Sequence, residues 1–179
     1  MYLALLTLVQ AGDEVLIPNP GFVAYPTITR MAGGQSTFYR LPAASEFSFD
    51  LDDFKRQLSS KTKVVVCTSP SNPTGRTLTN EELRSMARAV EESGTDAFII
   101  SDEIYRDLYY TGERPGSISE FYPRTVVISG LSKSTVHDRL APGVDSRRRD
   151  RNSRRAFAAW LRDDLRVNNF AEGRAGRLE

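Results

Sequence analysis

The chain has 179 residues, 40% hydrophobic and 26% charged, with a formal net charge of +1. That is enough chain for one domain with its own core, and the balance of charge argues for neither nucleic-acid binding nor an acidic surface. The single cysteine, Cys67, excludes an internal disulfide and points to a reducing cytoplasm. No apolar run is long enough to cross a membrane. The average charge hides a split: residues 1–134 carry 13 Lys+Arg against 16 Asp+Glu, whereas residues 135–179 carry 11 Arg, no Lys and 7 acids. Two compositions in one chain need separate explanations.

The first part alternates helical and strand patterns. Met1 to Gln10 reads as an amphipathic helix without a basic leader, with its helical core at Tyr2 to Val9. Asp13 to Pro18 is a short strand stopped by proline. Phe22 to Met31 reads as a helix closed by Gly33-Gly34. Ser36 to Leu41 is a second strand, and Asp50 to Leu58 is a helix with Asp at its start. Lys63 to Thr68 is a buried strand. Thr79 then caps a long helix, and Glu82 three residues later completes a capping box. Ala97 to Ser101 and Thr125 to Ser129 are further buried strands. Continuous apolar strands separated by helices predict an α/β fold: a mostly parallel sheet covered on both faces.

Such sheets bind ligands beyond the carboxyl ends of their strands. Asn72, Asp102 and Lys133 each follow a predicted strand, so their side chains converge on one edge. Asn72 lies in Ser69-Pro70-Ser71-Asn72-Pro73-Thr74-Gly75, where prolines fix the backbone and Gly75 permits a tight reversal. It is either a fixed hydrogen-bond donor or part of an ordinary loop. Asp102, at the floor of an apolar edge, needs a cation or a donor. A protonated pyridine nitrogen is one such partner; capping of nearby backbone N–H groups is the plainer alternative. Tyr105 follows about one helical turn later and can face the same site. Lys133, near low-dielectric walls, would be a usable amine nucleophile; as a solvated surface lysine it would be inert.

In this order and spacing the motifs resemble a known family. Asn19-Pro20-Gly21-Phe22, Ser71-Asn72-Pro73-Thr74-Gly75, Ser101-Asp102-Glu103-Ile104-Tyr105 and Ser129-Gly130-Leu131-Ser132-Lys133 are similar to those of the class I/II aminotransferases, fold-type I enzymes dependent on pyridoxal 5'-phosphate (PLP). The resemblance runs from Met1 to about Ser134. It implies the three-layer α/β/α large domain of a PLP-dependent transferase, incomplete in this chain, over residues 1–134. It also implies site roles. Lys133 would hold the cofactor covalently and shuttle the substrate Cα proton. Asp102 would pair with the pyridine nitrogen, and Asn72 and Tyr105 would bond the 3' oxygen. Phe22 would stack on the ring, or else be a core aromatic. Tyr25 occupies the place of a partner to the aspartate. The implied reaction is amino transfer between an amino acid and a 2-oxo acid, in a homodimer when intact, with no metal, nucleic acid or membrane involved. A C–S lyase or the PLP domain of a regulator would use the same core residues.

The pattern departs from the family at both ends. The small-residue phosphate-binding turn and the arginine that grips the substrate carboxylate are expected to be missing, which makes this chain an inactive fragment or a non-catalytic relic. After Lys133 the family continues into a G-x-R segment, whereas this chain reads Val136-His137-Asp138-Arg139-Leu140-Ala141-Pro142-Gly143. Arg139 stands two residues too early for the phosphate role. Back-translating Val136 to Asp145 with allowed codons and reading one base out of register gives C-M-T-G-W-R-L-G-W, which restores the family segment. Arginine richness without lysine also suits an out-of-frame reading of G+C-rich DNA. Residues 135–179 are therefore expected to be a frameshifted, poorly structured tail, and His137 an accident of the frame. Arg147-Arg148-Arg149 and Arg154-Arg155 would alternatively suit a nucleic-acid arm, but acids interrupt them and no known motif accompanies them. Sequencing the gene across codons 134–137 in sister strains is expected to reveal an inserted or lost base; an intact frame throughout would end the idea.

Overall fold

The computed structural model describes residues 1–110, 112–130 and 133. The expected tail at 135–179, with His137 and Arg139, lies outside the described residues. The elements follow in the order α1 (Tyr2–Leu8), β1 (Glu14–Asn19), α2 (Ala24–Met31), β2 (Gln35–Arg40), α3 (Leu51–Gln57), β3 (Thr62–Thr68), α4 (Asn80–Glu92), β4 (Phe98–Asp102) and β5 (Thr125–Ile128). Two short 3-10 turns, Ala43–Ser45 and Ile118–Glu120, were not legible as periodic patterns because each spans a single turn. Among the described residues no helix is long and apolar enough to cross a membrane.

Local chemistry sets the helix ends. Asp50 accepts the Asp53 amide at the start of α3. At α4, Thr79 Oγ1 accepts from the Glu82 amide while the Glu82 carboxylate accepts from the Thr79 amide, the reciprocal arrangement expected from the sequence. The end of α2 is a Schellman motif: the Gly33 amide donates to Arg30 and the Gly34 amide to Thr29, each at 3.0 Å. Gly33 has φ +88°, which a side chain would resist.

Among the described residues the sheet has five strands in the order β2-β1-β3-β4-β5, and every pairing is parallel. Strand side chains alternate between faces, and the two faces have separate jobs. Leu16, Val65, Cys67 and Ile99 join Phe54 of α3 and Leu83, Met86 and Val90 of α4 in one apolar core. Val15, Ile17, Val64, Val66 and Ile100, also buried, point the other way, toward the face that carries α1 and α2. Tyr39 anchors the first core. Its ring packs edge-on against Phe54 at 5.2 Å, and its hydroxyl donates to the Val66 carbonyl at 3.0 Å. Burial pushes the Tyr39 phenol well above its ordinary pKa.

Two expectations need correction. The strand at Thr125 to Ser129 is not buried: it is an edge strand with one neighbour among the described residues, and Val127 is 42% exposed. The first helix is not cleanly amphipathic either. Ala4, Leu5 and Leu8 face inward, but Tyr2, Leu3 and Leu6 leave its outer side apolar and exposed.

A buried carboxylate ties β2 to α3. Asp53 is 1% exposed and accepts the Arg40 amide at 2.8 Å, the Arg40 guanidinium at 3.1 and 3.2 Å, and Arg56 at 3.3 Å. Burial alone would raise its pKa, but these donors outweigh burial and hold the carboxyl below its ordinary value. The stabilisation is therefore present above the ordinary aspartate pKa of about 3.9 and is lost as pH falls through the depressed value. Asp53→Asn should cost about 2 kcal/mol of stability near neutral pH. The gap from the parent chain should close in acid, as followed by denaturant melts across pH. A gap that stays constant down to strongly acidic pH would show that the charge contributes nothing.

Candidate active site

Register builds the site before any functional group is considered. Thr68 pairs with Asp102, and Asp102 with Ile128, so the last residues of β3, β4 and β5 form a row across the carboxyl edge. By alternation this row shares the face of Val64, Val66 and Ile100, the face that carries α1 and α2. Tyr25, buried in the first turn of α2, reaches across to it. Its hydroxyl donates to Asp102 Oδ2 at 2.7 Å and lies 2.9 Å from Thr68 Oγ1. A phenol has one proton. Because that proton goes to Asp102, Thr68 is the donor in the second bond. Burial, then the Asp102 charge, drives the Tyr25 phenol far above its ordinary pKa, so it remains a donor.

The residues singled out from sequence meet here. Phe22, Asn72, Asp102, Tyr105 and Lys133 all line one cleft of about 250 Å³, completed by Tyr25, Thr68, Ile104 and Ile128. Phe22 follows β1 and packs edge-on against Tyr25, with ring centroids 5.6 Å apart. It is 43% exposed and so not a core aromatic. Asn72 is half-buried in its proline-framed turn. That turn is closed by the Gly75 amide donating to Ser71 at 2.8 Å and the Ser71 amide to Arg76 at 2.9 Å. Gly75 has φ +71°, the reversal expected of it. A larger hollow of about 490 Å³ lies around Asp13, Lys61 and Asp96. It sits at the amino ends of the strands, away from this edge.

Asp102 ends β4 rather than following it, so the ladder itself fixes its backbone. Its Oδ1 makes a long contact, 3.4 Å, to the Ile104 amide, so the capping role is weak. Tyr105 sits in the turn that follows, where the Arg106 amide donates to Glu103 and the Leu108 amide to Tyr105. Lys133 departs from expectation. It borders the cleft but is exposed, and the strand before it has one neighbour among the described residues.

Sequence reading missed Thr68, Ile104 and Ile128. Period-2 alternation carried the signal for Thr68 and Ile128, since both fall on the Asp102 face once the register is known. The cleft thus brings together an aromatic ring (Phe22), a carboxylate held by the ladder (Asp102), an amide (Asn72), a phenol (Tyr105) and an amine (Lys133). Among the described residues no arginine lines the cleft.

Comparison with known proteins bears on the family and the fold. The family model of aminotransferase class I and II matches residues 1–137. The chain is 37% identical over 138 residues to an aspartate aminotransferase of Bacillus sp. (strain YM-2), and 38% identical over 138 residues to that of Geobacillus stearothermophilus. Each alignment takes in 75% of this chain and 35% of the relative, so the chain spans about a third of the length of the curated relatives it matches. The structure of Thermus thermophilus aspartate aminotransferase with maleate superposes with a TM-score of 0.68 at 32% identity, over 73% of this chain and 34% of that one. N-Succinyldiaminopimelate aminotransferase from Mycobacterium tuberculosis gives a TM-score of 0.69 at 30% identity, over 74% of this chain and 35% of that one. Five parallel strands, a cleft at their carboxyl edge and a match running from the first residue to just past Lys133 together make this chain a member of the class I and II aminotransferase family.

Proposed function

We propose that the chain carries the ring-binding part of a PLP-dependent aminotransferase that moves an amino group between an amino acid and a 2-oxo acid. The observation that carries the proposal is the meeting of Phe22, Asn72, Asp102, Tyr105 and Lys133 in one cleft. PLP, when bound, supplies a conjugated ring that takes up the electron pair released when a substrate Cα bond breaks. Asp102, held as an acceptor by Tyr25, is suited to a protonated ring nitrogen. Asn72 and Tyr105 are suited to donate to the ring oxygen. Phe22 would cover one ring face and keep water from it. Lys133 supplies the amine that holds the cofactor and, once free, carries the proton at the substrate Cα.

Gripping the substrate carboxylate and the cofactor phosphate calls for cations, and the described wall of the cleft offers no arginine. We therefore assign ring binding, and no turnover, to this chain by itself. The arginine-rich residues 135–179 are assigned to a shifted reading frame; the family match stops at residue 137. The lone cysteine supports a reducing cytoplasm. The apolar outer side of α1, with Tyr2, Leu3 and Leu6, supports a homodimer of the intact protein, since it is surface that a second copy would cover.

Titration of the purified chain with PLP, then borohydride trapping and mass mapping, is expected to label Lys133 and to leave Lys133→Ala unlabelled. Labelling spread over Lys55, Lys61 and Lys63, or no labelling, would overturn the assignment.

A further inference from the structure

One buried acidic side chain near the cleft has no part in the chemistry above. Glu103 follows Asp102 directly, is 4% exposed, and does not line the cleft. A buried carboxylate is costly unless it is fully bonded, and this one is tied on several sides. It accepts from Ser101 Oγ at 2.9 Å, from Ser117 Oγ, and from Arg106 Nη1 at 3.0 Å. Arg106, 19% exposed, is itself pinned: Nε donates to the Pro115 carbonyl at 2.8 Å and Nη2 to Glu120 at 3.3 Å. The Glu103 amide donates to the Ile128 carbonyl at 2.8 Å, joining the end of β4 to the end of β5. This one residue therefore links the strand that bears Asp102, the strand that precedes Lys133, and the 115–120 segment.

Between Glu103 and Arg106 lies Tyr105. Its backbone is spanned by the Arg106-to-Glu103 amide bond, 3.0 Å, and by the Glu103–Arg106 ion pair across the same turn. A turn clamped at its ends by a charge-assisted bond has little freedom to swing its middle side chain. We infer that Glu103 is a positioning residue: through Arg106 it sets where Tyr105 lies in the cleft. The role rests on the ring-binding reading above, because Tyr105 matters there as the donor to the ring oxygen. Gln in place of Glu keeps an oxygen for the serines but turns an N–H₂ toward the guanidinium, so donors face donors and the clamp opens.

The test has two arms on the full chain. In hydrogen–deuterium exchange without cofactor, Glu103→Gln should speed exchange of the Arg106 and Leu108 amides about tenfold while leaving the β3 amides unchanged. Arg106→Gln, which breaks the same pair from its more exposed end, should repeat the pattern if Glu103→Gln does not fold. Unchanged exchange at Arg106 and Leu108, or equal acceleration through β3, overturns the inference. In PLP titration followed by absorbance, Glu103→Gln should weaken binding about tenfold in the parent chain and less than about twofold in a Tyr105→Phe background. Full, additive weakening in that background also overturns it. If the parent chain takes up no PLP, the ring-binding reading fails by itself, and exchange alone decides whether Glu103 sets Tyr105.

Discussion

The parallel register of three strand ends is the constraint on which everything else depends. Thr68, Asp102 and Ile128 stand side by side because β3, β4 and β5 pair in phase, and a slip of one residue would turn each of them to the opposite face. The ladder rather than a loop thus holds the central carboxylate, and Tyr25 needs only one helix turn to reach it. The core beneath enforces the phase, because Leu16, Val65, Cys67 and Ile99 must all stay against α3 and α4. Their burial, at roughly 25 cal/mol per Å² of apolar surface, penalises any slip.

The two faces of the sheet divide the work. The side under α3 and α4 is sealed with aliphatic and aromatic groups, and the Tyr39 hydroxyl there is satisfied by the Val66 carbonyl. The side under α1 and α2 carries the hydrogen-bonded row that ends in the cleft. Charge follows the same logic. Asp53 and Glu103 are buried acids that stitch segments together through arginines, while Asp102 keeps one oxygen weakly engaged and lines the cleft. Similar side chains therefore serve fastening or display according to how many donors meet them.

Much of this was legible in the sequence. The helix starts at Asp50 and Thr79 and the stop at Gly33-Gly34 rest on short-range chemistry that needs no tertiary context; the strands β1, β3 and β4 followed from apolar pattern, although Pro18 does not stop β1, which stays paired through Asn19. The convergence of Asn72, Asp102 and Lys133 followed from one rule about parallel sheets. What could not be read depended on neighbours. A run such as Thr125 to Ile128 looks the same whether one strand flanks it or two, so its edge position emerged only from the sheet order, and the exposure of Lys133 only from the structure. The partner of a buried acid is equally hidden. Glu103 and Arg106 are three apart like many surface pairs, and only the fold shows that this pair is enclosed by Ser101 and Ser117.

The edge position of β5 has a consequence for reactivity. An amine attacks a carbonyl in proportion to its effective molarity there, which depends on how narrowly its anchor confines it. Asp102 is held by strands on both sides, whereas Lys133 comes after the strand with one described neighbour and four residues of ladder. Within the described residues, the Asp102 carboxylate is thus anchored more firmly than the Lys133 amine. Structure along the side of β5 that has no described neighbour would narrow the volume the amine explores, without altering a single contact in the Thr68–Asp102–Ile128 row.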